Sequence, residues 1–154
     1  MMTKTLQDEI KRSRPFECLE EEAALNLART QAHLSEPVYK LLKQEKLSGP
    51  LHNILRILLG AEPDGLPSLE IADRMVTRVP DITRLVDRLE QANLVKRERS
   101  TEDRRVVRVR ITPQGKEKVE ALKPQLLELH RGQFTSLNRK ELQELNRLLV
   151  KARR

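Results

Sequence analysis

Apolar side chains recur every three or four residues along most of the chain, which is the spacing of helices that bury one face. This pattern predicts one helix over residues 16–47 and a second that starts at residue 51 and ends near Gly60. The segment Ser48-Gly49-Pro50 marks a stop and a restart between them. Pro37 interrupts the first run, so we expect a kink or a short break in that helix.

A short helix and a longer amphipathic helix are predicted in the middle of the chain. Residues 61–67 form a loop rich in Gly and Pro, and Ser68 is a suitable N-cap for a short helix over residues 69–75. The next helix is predicted from Pro80 to Ala92, with the proline in the first turn, where it is tolerated. One apolar stripe of this helix comprises Ile82, Leu85, Val86 and Leu89.

The spacing of apolar positions then changes from that of a helix to that of a strand. Residues 94–99 and 106–111 are predicted strands, and the polar residues 100–105 are short enough to turn a hairpin between them. Thr112 is expected to cap a helix that reaches about residue 130, and a last helix is predicted over residues 139–152. This order predicts a mainly α fold with a small β-hairpin wing, a winged helix-turn-helix.

Composition limits the class of protein. Of 154 residues, 38% are hydrophobic, 34% are charged and 2% are aromatic, which is typical of a soluble helical domain. There is no apolar run of about 20 residues and no signal-peptide pattern, and one cysteine cannot form an internal disulfide. We therefore expect a cytoplasmic protein with no membrane contact.

The sequence gives no sign of catalysis. It lacks a Gly-rich phosphate loop, a nucleophile motif and an acid/base cluster, so we expect no enzyme activity and no cofactor. The three histidines, His33, His52 and His130, lack the spacing of metal ligands, so we predict no metal and place each at the surface or the boundary of the core.

Positive charge is concentrated in one part of the folded region. The formal net charge is +7, and residues 74–110 alone carry 11 basic and 6 acidic side chains. A basic segment inside a fold is a candidate phosphate-contacting surface, although a solvated charged face is the alternative.

The amphipathic helix offers candidate contacts to bases. An α-helix fits the major groove, and Thr83, Arg84 and Arg88 lie opposite the apolar stripe, where arginine can pair with guanine or phosphate. Asp81 can either accept a hydrogen bond from a cytosine amino group or cap the helix, and we favour the cap.

The hairpin offers candidate contacts to the minor groove. Arg104 and Arg105 lie in the polar turn, and narrow A·T-rich minor grooves attract arginine. Asp103 is expected to hold the Arg105 guanidinium by a paired hydrogen bond. Each arginine taken alone has the alternative of being an ordinary surface residue.

Residues 51–116 resemble the DNA-binding part of the MarR family of bacterial winged helix-turn-helix transcriptional regulators. The segments that carry the resemblance are TRLVDRLEQANLV (83–95), DRRVVRVRIT (103–112) and PQG (113–115). Asn93 departs from the glycine that is common in the family at this point, but asparagine also tolerates the left-handed conformation.

The resemblance implies a function. It implies a homodimer that binds palindromic operator DNA, usually as a repressor, and that is released by phenolic ligands or thiol oxidation. It assigns Asp81, Thr83, Arg84 and Arg88 to the recognition helix and Asp103 and Arg105 to the wing. It also places Ser68 at the start of the supporting helix, where backbone N–H groups can meet a phosphate.

The domain organisation follows from the pattern and the resemblance together. We predict a flexible N-terminal arm (1–14), an N-terminal dimerisation region (15–49), a winged helix-turn-helix (50–112) and C-terminal dimerisation helices (113–154). Apolar stripes near both ends support a dimer interface, although they can also pack against each other within one chain. The C-terminal stripe comprises Leu142, Leu145, Leu148 and Leu149.

Two sensing mechanisms remain open from the sequence. The family implies a pocket for a small aromatic effector, which we place near Tyr39, His52 and Arg56. Cys18 is the alternative, a redox-sensing thiol near the start of the first helix, although several glutamates surround it. A winged-helix interaction module without sequence-specific DNA binding is a further alternative to the regulator.

Overall fold

Helices make up most of the fold, and a computed structural model describes residues 4–100, 103 and 105–154. Within these residues, the helices and strands are α1 (Leu6–Glu9), α2 (Leu19–Gln44), α3 (Gly49–Leu59), α4 (Ser68–Asp73), α5 (Ile82–Gln91), β1 (Val95–Arg99), β2 (Val107–Ile111), α6 (Pro113–Gln133) and α7 (Arg139–Ala152). This order confirms the predicted mainly helical fold with a two-stranded wing. The chain divides into two compact units, Met1–Val38 and Tyr39–Arg154.

The first unit includes a short helix where we predicted a flexible arm. Thr5 and Asp8 form a capping box at the start of α1, in which the Thr5 N–H donates to the Asp8 carboxylate at 3.0 Å. Arg29 pairs with Glu9 at 2.7 Å. Residues 5–9 of the predicted arm therefore have regular local structure, in which polar side chains satisfy the start of a helix.

The long helix α2 runs through Pro37 without a break, so the expected short break is wrong. Proline has no N–H to donate to the carbonyl four residues earlier, but the turns on both sides remain helical. The helix ends where Lys46 adopts a positive φ of 56° and the Leu47 N–H donates to the Leu42 carbonyl at 3.0 Å.

The core of the second unit is centred on α3, which contacts α4, α5, β2 and α6. Ser48 caps this helix, and the helix ends at Gly60, as predicted. Fully buried side chains at this centre are Ile54, Leu55, Leu58, Ile71, Val86, Leu89 and Val109. Burial of each such side chain contributes about 1.5–3 kcal/mol of hydrophobic stabilisation, which fixes α4 and α5 against α3.

The wing is an antiparallel pair in which Val95 lies opposite Ile111 and Arg99 lies opposite Val107. A single residue of the preceding loop, Leu66, adds a bridge to Val109 through bonds of 2.8 and 3.0 Å. Gly65 before it has φ +67°, and a Cβ there would overlap the Val109 carbonyl oxygen. The loop can approach the strand only because this residue is glycine.

The end of α5 forms a Schellman motif. Asn93 has φ 57°, and its N–H donates to the Glu90 carbonyl, while the Leu94 N–H donates to the Leu89 carbonyl, both at 2.9 Å. Asparagine takes the left-handed conformation in place of glycine, as predicted. The chain therefore leaves the helix at a fixed angle and enters β1 directly.

The start of α6 is joined to the same place. The Thr112 hydroxyl donates to the Asn93 carbonyl at 2.7 Å and accepts from the Gly115 N–H at 3.1 Å, which confirms the predicted cap. The Thr112 N–H donates to the Leu94 carbonyl at 3.0 Å. A Cβ on Gly115 would overlap that same carbonyl oxygen, so glycine permits the close approach.

The last helix, α7, has the predicted bounds and leaves its apolar stripe incompletely covered. No residue of α7 is buried. Leu142, Leu145 and Leu149 are half-buried, and Leu148 is 46% exposed. None of the helices in the described part of the chain has the length and apolarity required to cross a membrane.

Candidate nucleic-acid interface

The supporting helix α4 begins at Ser68 in a way that differs from our expectation. Pro67 occupies the N-cap position with φ −61° and ψ 150°, and no side chain caps the helix. The predicted capping role of Ser68 is therefore wrong, because this residue is already in the first turn. Its half-exposed side chain lies at the N-terminal end of α4.

The turn between α4 and α5 is held from the core helix. The Asn53 side-chain oxygen accepts a hydrogen bond from the Val76 N–H at 2.9 Å. Val76 itself is 86% exposed, so this bond, and not side-chain packing, fixes the turn. We did not single out Asn53 from the sequence, although a polar residue between the buried Leu51 and Ile54 was a visible signal.

Helix α5, the predicted recognition helix, begins with a carboxylate cap. Asp81 is the N-cap, and its Oδ1 accepts from the Arg84 N–H at 2.9 Å. The favoured capping interpretation of Asp81 is thus confirmed. Pro80 precedes the cap and lies outside the helix, so its predicted place in the first turn is wrong.

The two faces of α5 are separated as the pattern predicts. Val86 and Leu89 are buried, and Ile82 and Leu85 are half-buried. The other face is exposed and carries Thr83, Arg84, Asp87 and Arg88. Arg84 and Arg88 are both exposed and form no ion pair with any residue that the structure describes.

Arg97 of β1 joins the wing to α5. Its Nη1 donates to Glu90 and its Nη2 to Asp87, both at 2.6 Å, and its backbone N–H donates to Glu90 at 2.9 Å. Nη2 also lies 3.5 Å from the Thr83 carbonyl oxygen. We expected Arg97 only as a strand residue, because contacts between different elements leave no trace in local spacing.

The turn of the wing differs from the predicted pairing. Asp103 Oδ1 accepts from the backbone N–H of Arg105 at 2.9 Å. The expected bond to the Arg105 guanidinium is wrong, since among the described contacts the carboxylate fixes the backbone of the turn instead. The Arg105 residue is exposed, and Arg104, the other predicted contact, lies outside the described residues.

Other charged groups of the wing neutralise one another. Glu98 pairs with Lys96 at 2.5 Å and with Arg110 at 3.3 Å. The hydrogen bond from Lys96 is the main cause that lowers the pKa of Glu98, and the charge of Arg110 acts in the same direction. The Arg108 guanidinium donates to the Gly65 carbonyl at 3.2 Å. Several positive side chains of the wing therefore already have partners within the chain.

The predicted effector residues lie on two helices. His52 and Arg56 are one turn apart on α3, where His52 is 8% exposed and Arg56 is exposed. The expectation of a surface or boundary position is therefore wrong for His52. Burial lowers the pKa of His52, and the positive charge of Arg56 lowers it further. Tyr39 lies on α2, with the Lys43 ammonium 5.8 Å from its ring centre.

Cys18 lies at the start of α2. Its thiol is exposed, and Sγ accepts from the Glu21 N–H at 3.4 Å. It lines an open cavity of about 480 Å³ together with Thr5, Phe16 and other residues of the first unit. In the part of the chain that the structure describes, no three His, Cys, Asp or Glu side chains are grouped to hold a metal ion.

Comparisons with known proteins agree with this geometry. A model of the MarR family matches residues 47–107. The chain is 33% identical over 124 residues to the transcriptional repressor IacR of Pseudomonas putida, covering 80% of this chain and 72% of IacR.

Two solved structures extend the comparison. A MarR transcription factor from Planctomyces limnophilus is 39% identical, with a TM-score of 0.68 over 88% of this chain and 98% of that one. Bordetella bronchiseptica BpsR has the same fold, with a TM-score of 0.77, 21% identity, and coverage of 90% of this chain and 97% of that one.

Proposed function

Because this chain belongs to the MarR family of DNA-binding transcriptional regulators, we propose that it represses genes by binding a palindromic operator as a homodimer. We further propose that a small aromatic effector releases it from DNA. The observation that carries the proposal is the exposed face of α5, where Arg84 and Arg88 make no ion pair with a described residue.

The recognition helix supplies contacts to the major groove. Arg84 and Arg88 are four residues apart, so they project from the same face of α5. Arginine reads the O6 and N7 atoms of guanine with two hydrogen bonds, and Thr83 can contact any base or a phosphate beside them. Asp81 acts by capping the helix, which holds the first turn in place. Ser68 and the N-terminal amides of α4 contact a phosphate.

The wing supplies a second contact. Arg105 is exposed in the hairpin turn, and its backbone is held by Asp103. We assign Arg105, together with Arg104 outside the described residues, to the minor groove beside the site read by α5. The narrow minor groove of an A·T-rich tract has enhanced negative potential, which favours an inserted guanidinium.

The dimer uses the terminal helices. Leu27 of α2 and Leu148 of α7 are 48% and 46% exposed, although both lie on apolar stripes. Residues 15–49 and 113–154 form the interface in this proposal, and a two-fold axis then places two α5 helices about one turn of DNA apart. The two half-sites of a palindrome follow from that symmetry.

Effector binding is proposed by analogy and by position. DNA binding by BpsR is regulated by 6-hydroxynicotinic acid. His52 and Arg56 on α3, with Tyr39 on α2, offer an imidazole, a cation and an aromatic ring, which suit an aromatic acid. A thermal-shift screen of aromatic acids tests this part, because a ligand that binds only the folded protein raises the melting temperature. We propose that the regulator acts in the cytoplasm.

A footprint of the purified protein on its own upstream region tests the main proposal. We expect a protected site with two-fold symmetry at ~150 mM salt, at nanomolar protein. Salt-sensitive binding with no preferred sequence would instead indicate a winged-helix interaction module. For the redox alternative, loss of the footprint on peroxide treatment and its persistence in Cys18→Ser would identify the thiol as the sensor.

A further inference from the structure

The recognition helix carries acidic side chains among its arginines. Asp87 follows Arg84 by three residues, a spacing at which side chains of opposite charge on a helix pair with each other. The structure joins Asp87 instead to Arg97 of β1 at 2.6 Å. Arg84 forms no ion pair with a described residue. Asp87 therefore has two possible cationic partners, and the one from the wing holds it.

The geometry of Arg97 favours its pairing with Asp87 over the pairing of Arg84 with Asp87. Its guanidinium bridges Asp87 and Glu90, with both distances at 2.6 Å, and its side chain is 25% exposed, compared with 50% for Asp87. The backbone N–H of Arg97 is also bonded to Glu90, so the residue is held at two points. A planar guanidinium that binds two carboxylates loses less conformational freedom per bond than a solvated surface pair.

We propose that Arg97 is a positioning residue for DNA binding, which occupies Asp87 and thereby keeps the Arg84 guanidinium unpaired. The inference rests on the proposed function, in which Arg84 contacts DNA. Without Arg97, Asp87 pairs with Arg84 along α5. That pair must break before Arg84 meets a guanine or a phosphate, and the uncompensated Asp87 carboxylate also repels the DNA backbone.

The expected size of the effect follows from these two contributions. Breaking an Arg84–Asp87 ion pair on the helix surface lowers the DNA-binding constant by about twofold. An uncompensated Asp87 carboxylate near phosphates lowers it by a similar factor. A dimer has two such sites, so Arg97→Gln is expected to weaken DNA binding by roughly tenfold. Arg97→Lys, which keeps a charge but cannot bridge both carboxylates, is expected to give an intermediate loss.

Rescue distinguishes this role from a structural one. The probe is a duplex selected by the wild-type protein from a random-sequence pool. Adding Asp87→Asn to Arg97→Gln is expected to restore most of the lost affinity, because the competing carboxylate is then absent. If Arg97 only stabilised the fold, the second change would restore nothing, and that result would overturn the inference.

Arg99→Gln provides the matched control, since it removes the same charge from the same strand two residues away. Adding Asp87→Asn to Arg99→Gln should give no more than the modest gain that Asp87→Asn gives in the wild type. An equal rescue in both backgrounds would show a general charge effect and would contradict the proposal. Thermal midpoints of all variants report whether each remains folded.

A measurement without DNA tests the Arg97 inference separately from the proposed DNA-binding function. NMR of the arginine Nε–H groups is expected to show the Arg84 signal shifted and its exchange slowed in Arg97→Gln, but not in the wild type or the double variant. An unchanged Arg84 signal overturns the inference whatever the binding data are. If the wild type selects no sequence but the Arg84 signal behaves as expected, the proposed function fails and the pairing competition stands.

Discussion

The side-chain oxygen of Asn53, in the middle of α3, accepts a hydrogen bond from the backbone N–H of Val76, 2.9 Å away in the turn between α4 and α5. The bond joins a helix of the core to the turn that connects α4 and α5. Since the Val76 side chain is 86% exposed, the turn gains little from packing at this point.

Asn53→Ala is therefore expected to loosen the turn. Loss of one hydrogen bond to a backbone amide costs about 1 kcal/mol of the free energy of unfolding. Hydrogen exchange of the Val76 amide should accelerate, whereas Asn53→Asp, which keeps an acceptor oxygen, should retain the protection. Equal exchange rates in all three proteins would show that another contact holds the turn.

Arg84→Ala and Arg105→Ala are each expected to weaken specific DNA binding while the dimer stays intact. Loss of a bidentate contact to a base weakens the free energy of DNA binding by about 1–3 kcal/mol. Loss of a phosphate contact reduces the slope of the log binding constant against log salt concentration by about one. Titration of the footprinted site at several salt concentrations measures both. Arg99→Ala, at an exposed position of β1 outside the proposed dimer interface, gives the baseline for removing one positive charge.

If both groove variants bind like Arg99→Ala, the assignment of Arg84 and Arg105 to DNA contacts is wrong. If only one differs, the other arginine does not reach the duplex. Sedimentation of each variant shows whether a change in binding arises from a change in dimerisation.

Gly115→Ala is expected to destabilise the fold by about 1–3 kcal/mol, because the added Cβ would overlap the Leu94 carbonyl oxygen. Gly132→Ala in the same helix is the matched control, since nothing lies within 4 Å of a Cβ there. Alanine in a helix is favoured over glycine, so this control should gain about 0.5 kcal/mol. Chemical denaturation of both variants measures the two free energies of unfolding, and effects of the same sign would contradict the prediction.

Much of the fold was predictable because it depends on local spacing. The stripe of α5, the bounds of α7 and the left-handed Asn93 each follow from residues within one or two helical turns. The departures have equally local causes: Pro67 takes the N-cap position that we gave to Ser68, and α2 continues through Pro37 because neighbouring turns keep their bonds.

The parts of the site that the sequence did not reveal depend on contacts between elements. Arg97 reaches Asp87 and Glu90 across from the wing, and Asn53 reaches Val76 over 23 positions of the chain. Neither contact has a periodic signature. The bridge of Leu66 to Val109 is likewise one residue long, too short to be seen as a strand in the pattern.

The pH dependence of stability provides a test of the buried His52. Burial, followed by the charge of Arg56, lowers the pKa of this imidazole in the folded state. In the unfolded chain the His52 imidazole binds a proton as the pH falls through about 6.5, whereas in the folded protein it stays neutral to a lower pH. The free energy of unfolding is therefore at its full value above about pH 6.5 and falls as the pH drops towards the folded pKa.

Urea denaturation between about pH 7.5 and 5 measures this slope. His52→Gln should flatten it, because the group that binds a proton only in the unfolded chain is gone. His33→Gln, at an exposed position of α2, controls for the removal of an imidazole. A slope in His52→Gln equal to that of the wild type would assign the pH dependence to other groups.

Leu148→Glu is expected to weaken the proposed dimer. A charge in the centre of an apolar helix interface must be desolvated without a partner, which raises the dissociation constant. Leu69→Glu is the control, because Leu69 is 78% exposed on α4, outside the proposed interface. Sedimentation equilibrium should show monomer for the first variant at concentrations where the second remains a dimer, and identical association would exclude α7 from the interface.

The hydrogen bonds around Leu94 connect the first turn of α6 directly to the last turn of α5. The Leu94 N–H is bonded back into α5, its carbonyl receives the Thr112 N–H, and the Thr112 hydroxyl reaches the Asn93 carbonyl. The start of α6 is therefore tied to the end of α5 by backbone hydrogen bonds as well as by the burial of Leu94. A change in the direction of α6 at its first turn would have to move the end of α5 with it or break these backbone hydrogen bonds.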